Sequence, residues 1–307
     1  MDEATFVLFI ACYRPKLAES PSFPFDLPTW CHDTSTEEYT RQREEVCQTH
    51  GWFGNMAAHN ILHLEAILHD GSKPTLHEQW MAALKAKIKE GQEYHILDYG
   101  CGASSFGELA LMLPGTRCTL AEVAPGMLDY LQWKFQSFLP ERVCLHQLSL
   151  QGTTTPDRYR VRVNHQSLQD RYDAIVLADV LEHTMNPLAT LGHMLTHLKT
   201  GGIILVSYPR EIEGDWHTPE AYYLRDWCYR LLYRSCTKIS PHIFQKQSGI
   251  KSSTIRSAIR LFSPILQKRA NQFAINYFQH HGETLLYEVK RSGRIISIEE
   301  LVASVGK

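Results

Sequence analysis

Along the middle of the chain, short apolar runs alternate with amphipathic stretches. Tyr94 to Asp98 carries Tyr94, Ile96 and Leu97 and predicts a buried strand. A helix follows around Phe106 to Met112, ended by Pro114-Gly115. A second strand is expected over Arg117 to Ala121, ending at Glu122, and Pro125-Gly126 lead into a helix to about Ser137. Val143 to Pro156 is ambiguous and reads as an extra strand with a loop, so the third core strand is expected at Tyr159 to Val163. Asp173 to Ala178 is unbroken apolar, as in a parallel strand buried on both faces. Asn186-Pro187 starts a helix through Leu198, Gly201-Gly202 stop it, and Ile203 to Ser207 is a fifth buried strand. The spacing of these units predicts an α/β fold with an open, doubly wound, mostly parallel sheet.

The flanks read differently. Residues 13–35 hold Pro15, Pro21, Pro24 and Pro28 and predict an extended arm. Helices are expected from about Thr36 to Thr49, from Met56 to Leu68 and from Leu76 to Glu90. Beyond Pro209, Thr218-Pro219-Glu220 is a helix start: a capping hydroxyl, a proline in the first turn, then an acid. Leu224, Trp227, Leu231 and Leu232 carry the helical period onward. Ile255, Ile259 and Phe262 mark one face of a second helix over Thr254 to Phe262, and Ser263-Pro264 restarts another turn. Phe273 to Gln279 and Thr284 to Lys290 read as a hairpin around His281-Gly282. The organisation expected is an arm with a helical lid over 1–92, a core over 93–209, a basic helical insertion over 210–271, and a strand hairpin with a tail over 272–307.

The turn between the first strand and its helix is D-Y-G-C-G-A, Asp98 to Ala103. Gly100 and Gly102 let the backbone take positive φ and approach a ligand closely, and Ser104 or Ser105 is placed to cap the helix. Such strand–glycine–helix crossovers hold nucleotide-like ligands. The third glycine of the pyrophosphate fingerprint is missing, Ser105 standing in its place, which disfavours a nicotinamide dehydrogenase. Glu122 stands 22 residues after Gly100, where a carboxylate can accept both hydroxyls of a ribose.

The run from Asp98 to Ala103 resembles the first motif of the class I, Rossmann-like S-adenosylmethionine (SAM) methyltransferases, small-molecule type. Tyr172 to Pro187, Y-D-A-I-V-L-A-D-V-L-E-H-T-M-N-P, and Leu198 to Ser207, L-K-T-G-G-I-I-L-V-S, resemble that group's fourth- and fifth-strand motifs. The resemblance implies a seven-stranded sheet ending in an antiparallel pair, helices over the transfer site, and SAM as cofactor. It implies cofactor binding by Asp98, Gly100, Cys101, Gly102, Glu122, Val123, Met127 and Asp179. His183, beyond the fourth strand, is the best general-base candidate, since an imidazole titrates near working pH. His217, just after the fifth strand, is placed to enter the substrate pocket. Tyr39, Trp52, Phe53, Tyr208, Trp216, Tyr222 and Tyr223 are candidates for an aromatic lining that keeps water from the methyl.

Composition changes this picture in two places. Eight cysteines without a C-x-x-C pair point to reduced thiols in a cytoplasmic protein and to no structural metal. His59 and His63 have the spacing of a metal pair, but no third ligand is fixed by sequence, so no metal is expected. The net charge is −2, yet Arg225 to Ala270 holds ten Lys and Arg against one acid, Asp226. That segment leaves open an anionic macromolecular or carrier-bound substrate, a homodimer, or an acidic partner. A nucleic-acid partner is not expected, because no RNA-binding module is legible. No run approaches the ~20 apolar residues of a membrane span. The leading function is methyl transfer to a small, biosynthetic acceptor; a non-catalytic SAM-binding partner protein is the other class.

Overall fold

In the computed structural model the apolar runs become strands. The structure describes residues 72–102, 104–123, 128, 131–132, 134–135, 138–151, 162–164, 168, 171–208 and 217–280. The expected arm, the two helices before residue 70 and the pairs His59/His63 and Trp52/Phe53 lie outside them, as do Tyr39, Trp216, Met127 and the strand expected over Thr284 to Lys290. In chain order the elements are α1 (Ser72–Lys85), β1 (Tyr94–Tyr99), α2 (Ser105–Leu111), β2 (Thr116–Glu122), β3 (Val143–Gln147), β4 (Ser149–Gln151) and β5 (Arg162–Asn164). There follow β6 (Tyr172–Ala178), a 3-10 turn (Leu181–His183), α3 (Pro187–His197), β7 (Leu198–Ser207), α4 (Pro219–Ser235), β8 (Cys236–Ser240), β9 (Ile243–Lys246) and α5 (Ser252–His280). Seven strands form one mixed sheet in the order β3-β2-β1-β6-β7-β9-β8, and β4 and β5 pair by themselves. This is the expected doubly wound α/β class, mostly parallel with antiparallel strands at one edge.

The described residues divide between two compact units. One holds 72–93 and 101–147. In it β2 and β3 run parallel, with Leu120 opposite Leu145. Trp80 of α1 is buried and meets Phe106 of α2 edge-on, ring centroids 5.5 Å apart.

The other unit holds 94–100 and 148–280. Here β1 pairs parallel with β6, Leu97 opposite Ile175, and β6 pairs parallel with β7, Val176 opposite Leu205. Ala174 to Leu177 and Ile203 to Val206 are buried, as an apolar run on a two-faced strand requires. Helices α3, α4 and α5 pack on one another. Where α3 meets α5, Gly192 faces Ile259: a Cβ on the glycine would lie 2.4 Å from the Ile259 side chain.

Several expectations are corrected. The third core strand is Val143–Gln147, not Tyr159 to Val163; residues 162–164 instead pair antiparallel with 149–151. The antiparallel pair at the sheet edge is β8 with β9, which joins β7, and it lies inside the segment read as helical insertion. Phe273 to Gln279 is helix, the last turns of α5. Leu266, Ala270 and Ala274 are buried at a spacing of four, and Phe273 stands one turn before Tyr277 with its ring beside it. That is a helical period, not an alternating one. The helix also runs through Pro264 rather than restarting there, and Phe262 is exposed, not on the buried face with Ile255.

Candidate active site at the carboxyl ends of the strands

The glycine turn follows β1. Gly100, Gly102 and Ser104 all have left-handed φ, near 64°, 52° and 52°. At Gly100 a Cβ would lie 2.9 Å from Cγ2 of Val180, so that position excludes a side chain as well as needing positive φ. Ser104 is the N-cap residue of α2 by position, but its side chain makes no capping bond; its amide donates to the Cys101 carbonyl at 2.7 Å. Within the first unit the turn is tied to β2. The Cys101 amide donates to the Ala121 carbonyl, and the Gly102 amide donates to Oε2 of Glu122 at 2.9 Å. Oε1 of Glu122 accepts from the Val123 amide at 2.7 Å. Glu122 is thus a buried carboxylate whose two oxygens each receive a main-chain donor. Asp98, at the end of β1, is also buried.

In the second unit the ends of β6 and β7 meet. Asp179 follows β6 with φ 52°, an unusual backbone for a residue other than glycine, and Oδ1 accepts from the Ser207 hydroxyl at 2.6 Å. The 3-10 turn beyond it presents Glu182 and His183. His217 lies one residue before Thr218, the cap of α4, whose hydroxyl accepts from the Ala221 amide. Two bonds fasten this start of α4 to the turn. The Thr218 amide donates to the Glu182 carbonyl at 2.8 Å, and the Thr218 hydroxyl donates to the Thr184 carbonyl at 3.1 Å. The His183 and His217 rings meet edge-on, centroids 5.4 Å apart.

Both histidines picked from the sequence therefore share one corner. Glu182 joins them there without having been chosen, and Ser207, also not chosen, bonds Asp179. Thr218 was legible as a cap, but its bonds to the turn had no local signal, the one to Thr184 joining residues 34 apart.

Of the expected aromatic lining, Tyr208, Tyr222 and Tyr223 fall among the described residues. Tyr208 is buried, its hydroxyl donates to the Ala221 carbonyl, and burial holds its pKa well above the usual phenol value. Tyr222 and Tyr223 pack on Phe273 of α5. Two thiols of α4 and β8 are held protonated: burial raises Cys228, and burial pushes Cys236 up to about 12.

The basic segment is also less uniform than its composition. Lys246 is buried, its ammonium donating to the Leu195 and Leu198 carbonyls at 2.6 and 2.7 Å. Arg225 lies over the rings of Tyr208 and Tyr229. No helix among the described residues is long and apolar enough to cross a membrane.

A mostly parallel sheet with a glycine turn after its first motif strand and an acid after the next defines the Rossmann-like methyltransferase class. The family model described as a methyltransferase domain matches residues 71–248, more than half of the chain, and the chain belongs to that family. SAM is the methyl donor that this family and fold class use.

Among solved structures, the precorrin-6y C5,15-methyltransferase of Geobacter metallireducens GS-15 is 19% identical, over 41% of this chain and 59% of that one, with a TM-score of 0.28. The amino pentose methyltransferase CalS10 of Micromonospora echinaspora is 21% identical, over 45% and 52%, with a TM-score of 0.31. The pyocyanin biosynthetic protein PhzM is 15% identical, over 61% and 58%, with a TM-score of 0.40. The matches thus cover between about half and three-fifths of those proteins' lengths. No curated protein matches the chain.

Proposed function

We propose that this chain transfers a methyl group from SAM to a small-molecule acceptor. The observation that carries the reading is the tie between Gly102 and Glu122. It gives a carboxylate of fixed direction beside a turn whose Gly100 and Gly102 bring no side chain against a ligand, and that fits a nucleoside bearing an amino acid tail. Glu122 would accept the ribose hydroxyls. The main chain of Gly100, Cys101 and Gly102 would face the amino acid end, with Asp98 acting through a water. Val123 would border the adenine, and Asp179 would orient the cofactor from the end of β6.

When bound, SAM supplies a methyl already activated on a positive sulfur. The protein's own work is to align the acceptor and exclude water. Where the acceptor arrives protonated, His183 takes the proton, and His217 beside it orients the acceptor.

Calorimetric titration with SAM and with its demethylated product tests this. Native protein should bind both, and Glu122→Ala should bind roughly 100-fold more weakly, the worth of one or two bonds to a charged acceptor. Unchanged affinity in a folded Glu122→Ala variant would remove the ribose assignment.

A second reading has its own observation. Leu261, Phe262 and Ile265 are exposed on α5 among Arg256, Arg260, Lys268 and Arg269, which are exposed too. An apolar patch ringed by cations favours an acceptor carried on an anionic partner. Turnover that falls steeply with added salt would support it, and turnover indifferent to salt would dismiss it.

A further inference from the structure

We propose that Glu182, His183 and His217 form a binding site for a divalent transition metal of the zinc type. One ligand atom from each of the three lies within 4.8 Å of the others. Glu182 is buried, and the two imidazoles are half-buried. The donors come from two segments far apart in sequence, and their backbones are already fastened. The Thr218 amide holds the Glu182 carbonyl, the Thr218 hydroxyl holds the Thr184 carbonyl, and the His183 amide holds the Val180 carbonyl at 3.1 Å. A cation would therefore meet a frame that is set, needing only side-chain rotation. Tetrahedral ligands at zinc distances stand about 3.4 Å apart, so the rotation closes a gap of little more than an ångström.

The donor set picks the metal. Two imidazole nitrogens with one carboxylate oxygen suit zinc, whereas magnesium and calcium prefer oxygen throughout. Three protein ligands leave a fourth position, and the half-buried imidazoles leave a side for it. That position takes a water or an anionic oxygen donor. On the reading that the acceptor enters at this end of β6, a bound hydroxyl would lose its proton to bulk water more readily. In the metal-loaded chain His183 and His217 serve as ligands and the proton goes to water; the base and orienting roles of the two histidines belong to the metal-free chain.

Cobalt substitution of the tag-free full chain tests the site, with SAM affinity measured on the same samples. After chelation and dialysis, a single cobalt ion per chain should give the intense visible absorption of a tetrahedral site, and equimolar zinc should abolish it. Acetohydroxamate, an oxygen chelator, should shift the bands if a position is open. His183→Ala and His217→Ala should each weaken cobalt binding at least roughly tenfold, with SAM affinity unchanged. His193→Ala with His197→Ala, the neighbouring histidine pair on α3, should leave the spectrum as it was.

Wild-type chain that takes up no cobalt overturns the proposal, as does a spectrum that survives loss of both His183 and His217. A weak, octahedral spectrum overturns the zinc-type assignment. SAM binding without cobalt binding defeats the metal site alone, and cobalt binding without SAM binding defeats the methyl-donor reading alone.

Discussion

After β2, Glu122 is held by two main-chain amides, those of Gly102 and Val123. After β6, Glu182 is set beside the imidazoles of two histidines, one of them brought in by the start of α4. Both are buried carboxylates at the carboxyl end of a parallel strand. Amides of a fixed turn hold an anion in one direction, as suits the recognition of neutral hydroxyls. Imidazoles add further donors around the anion, as suits a cation. On the two proposals, the same residue type in the same kind of place would do different chemistry, and the neighbours would decide which.

The largest expected effect breaks the first half of that contrast. Glu122→Ala loses about two orders of magnitude in SAM affinity, while Glu122→Gln, which keeps the shape and one acceptor, falls between it and the native protein. Calorimetry on the three proteins reads the order. Gly100→Ala comes next. Left-handed φ costs a side chain about 1–2 kcal/mol, and Val180 must also give way, so a loss near 2 kcal/mol is expected in denaturant unfolding. Adding Val180→Ala should restore the steric part only.

Thr218→Ala probes the second half. It removes a cap and the bond to Thr184, about 1 kcal/mol by the usual worth of a cap, and it should loosen the His217 corner without touching SAM affinity. Thr218→Ser should recover most of the stability.

The smallest effect is one of pH. Burial first, then the nearby Arg171 charge, lower Lys246 from its usual 10.5. Between the folded and unfolded values the unfolded chain binds more protons, so stability rises with pH as pH approaches about 10.5. Lys246→Met should flatten that slope, read by denaturant unfolding at stepped pH.

How legible was all this? β6 and β7 announced themselves because their centres, buried on both faces, are apolar without interruption, whereas β1 and β2 were legible through the glycine turn and the acid that follow them. Thr218-Pro219-Glu220 did so because capping chemistry is local. β8 and β9 did not: Cys236 to Ser240 carries Lys238 and mostly exposed positions, and Lys246, which looks like a surface charge, is buried on carbonyls. Pro264 argued for a break in α5, yet packing on α3 and α4 carries the helix through it, aided by the Gln267 amide donating to the Met185 carbonyl. Tertiary contacts overrode a local signal there. In the site, the Glu122 arrangement was half visible, since its partner glycines lie at a telling distance. The corner of Glu182, His183 and His217 was not, because a backbone bond between residues 182 and 218 has no signature in either segment.

The crossing of α3 and α5 also bears on how the sequence can drift. At Gly192 a hydrogen fills the place where any larger group would strike Ile259. Alanine at 192 should be found only in relatives that carry something smaller than isoleucine at 259. Two positions distant along the chain would then change as a pair, and a library randomised at both should return that coupling among its folded members.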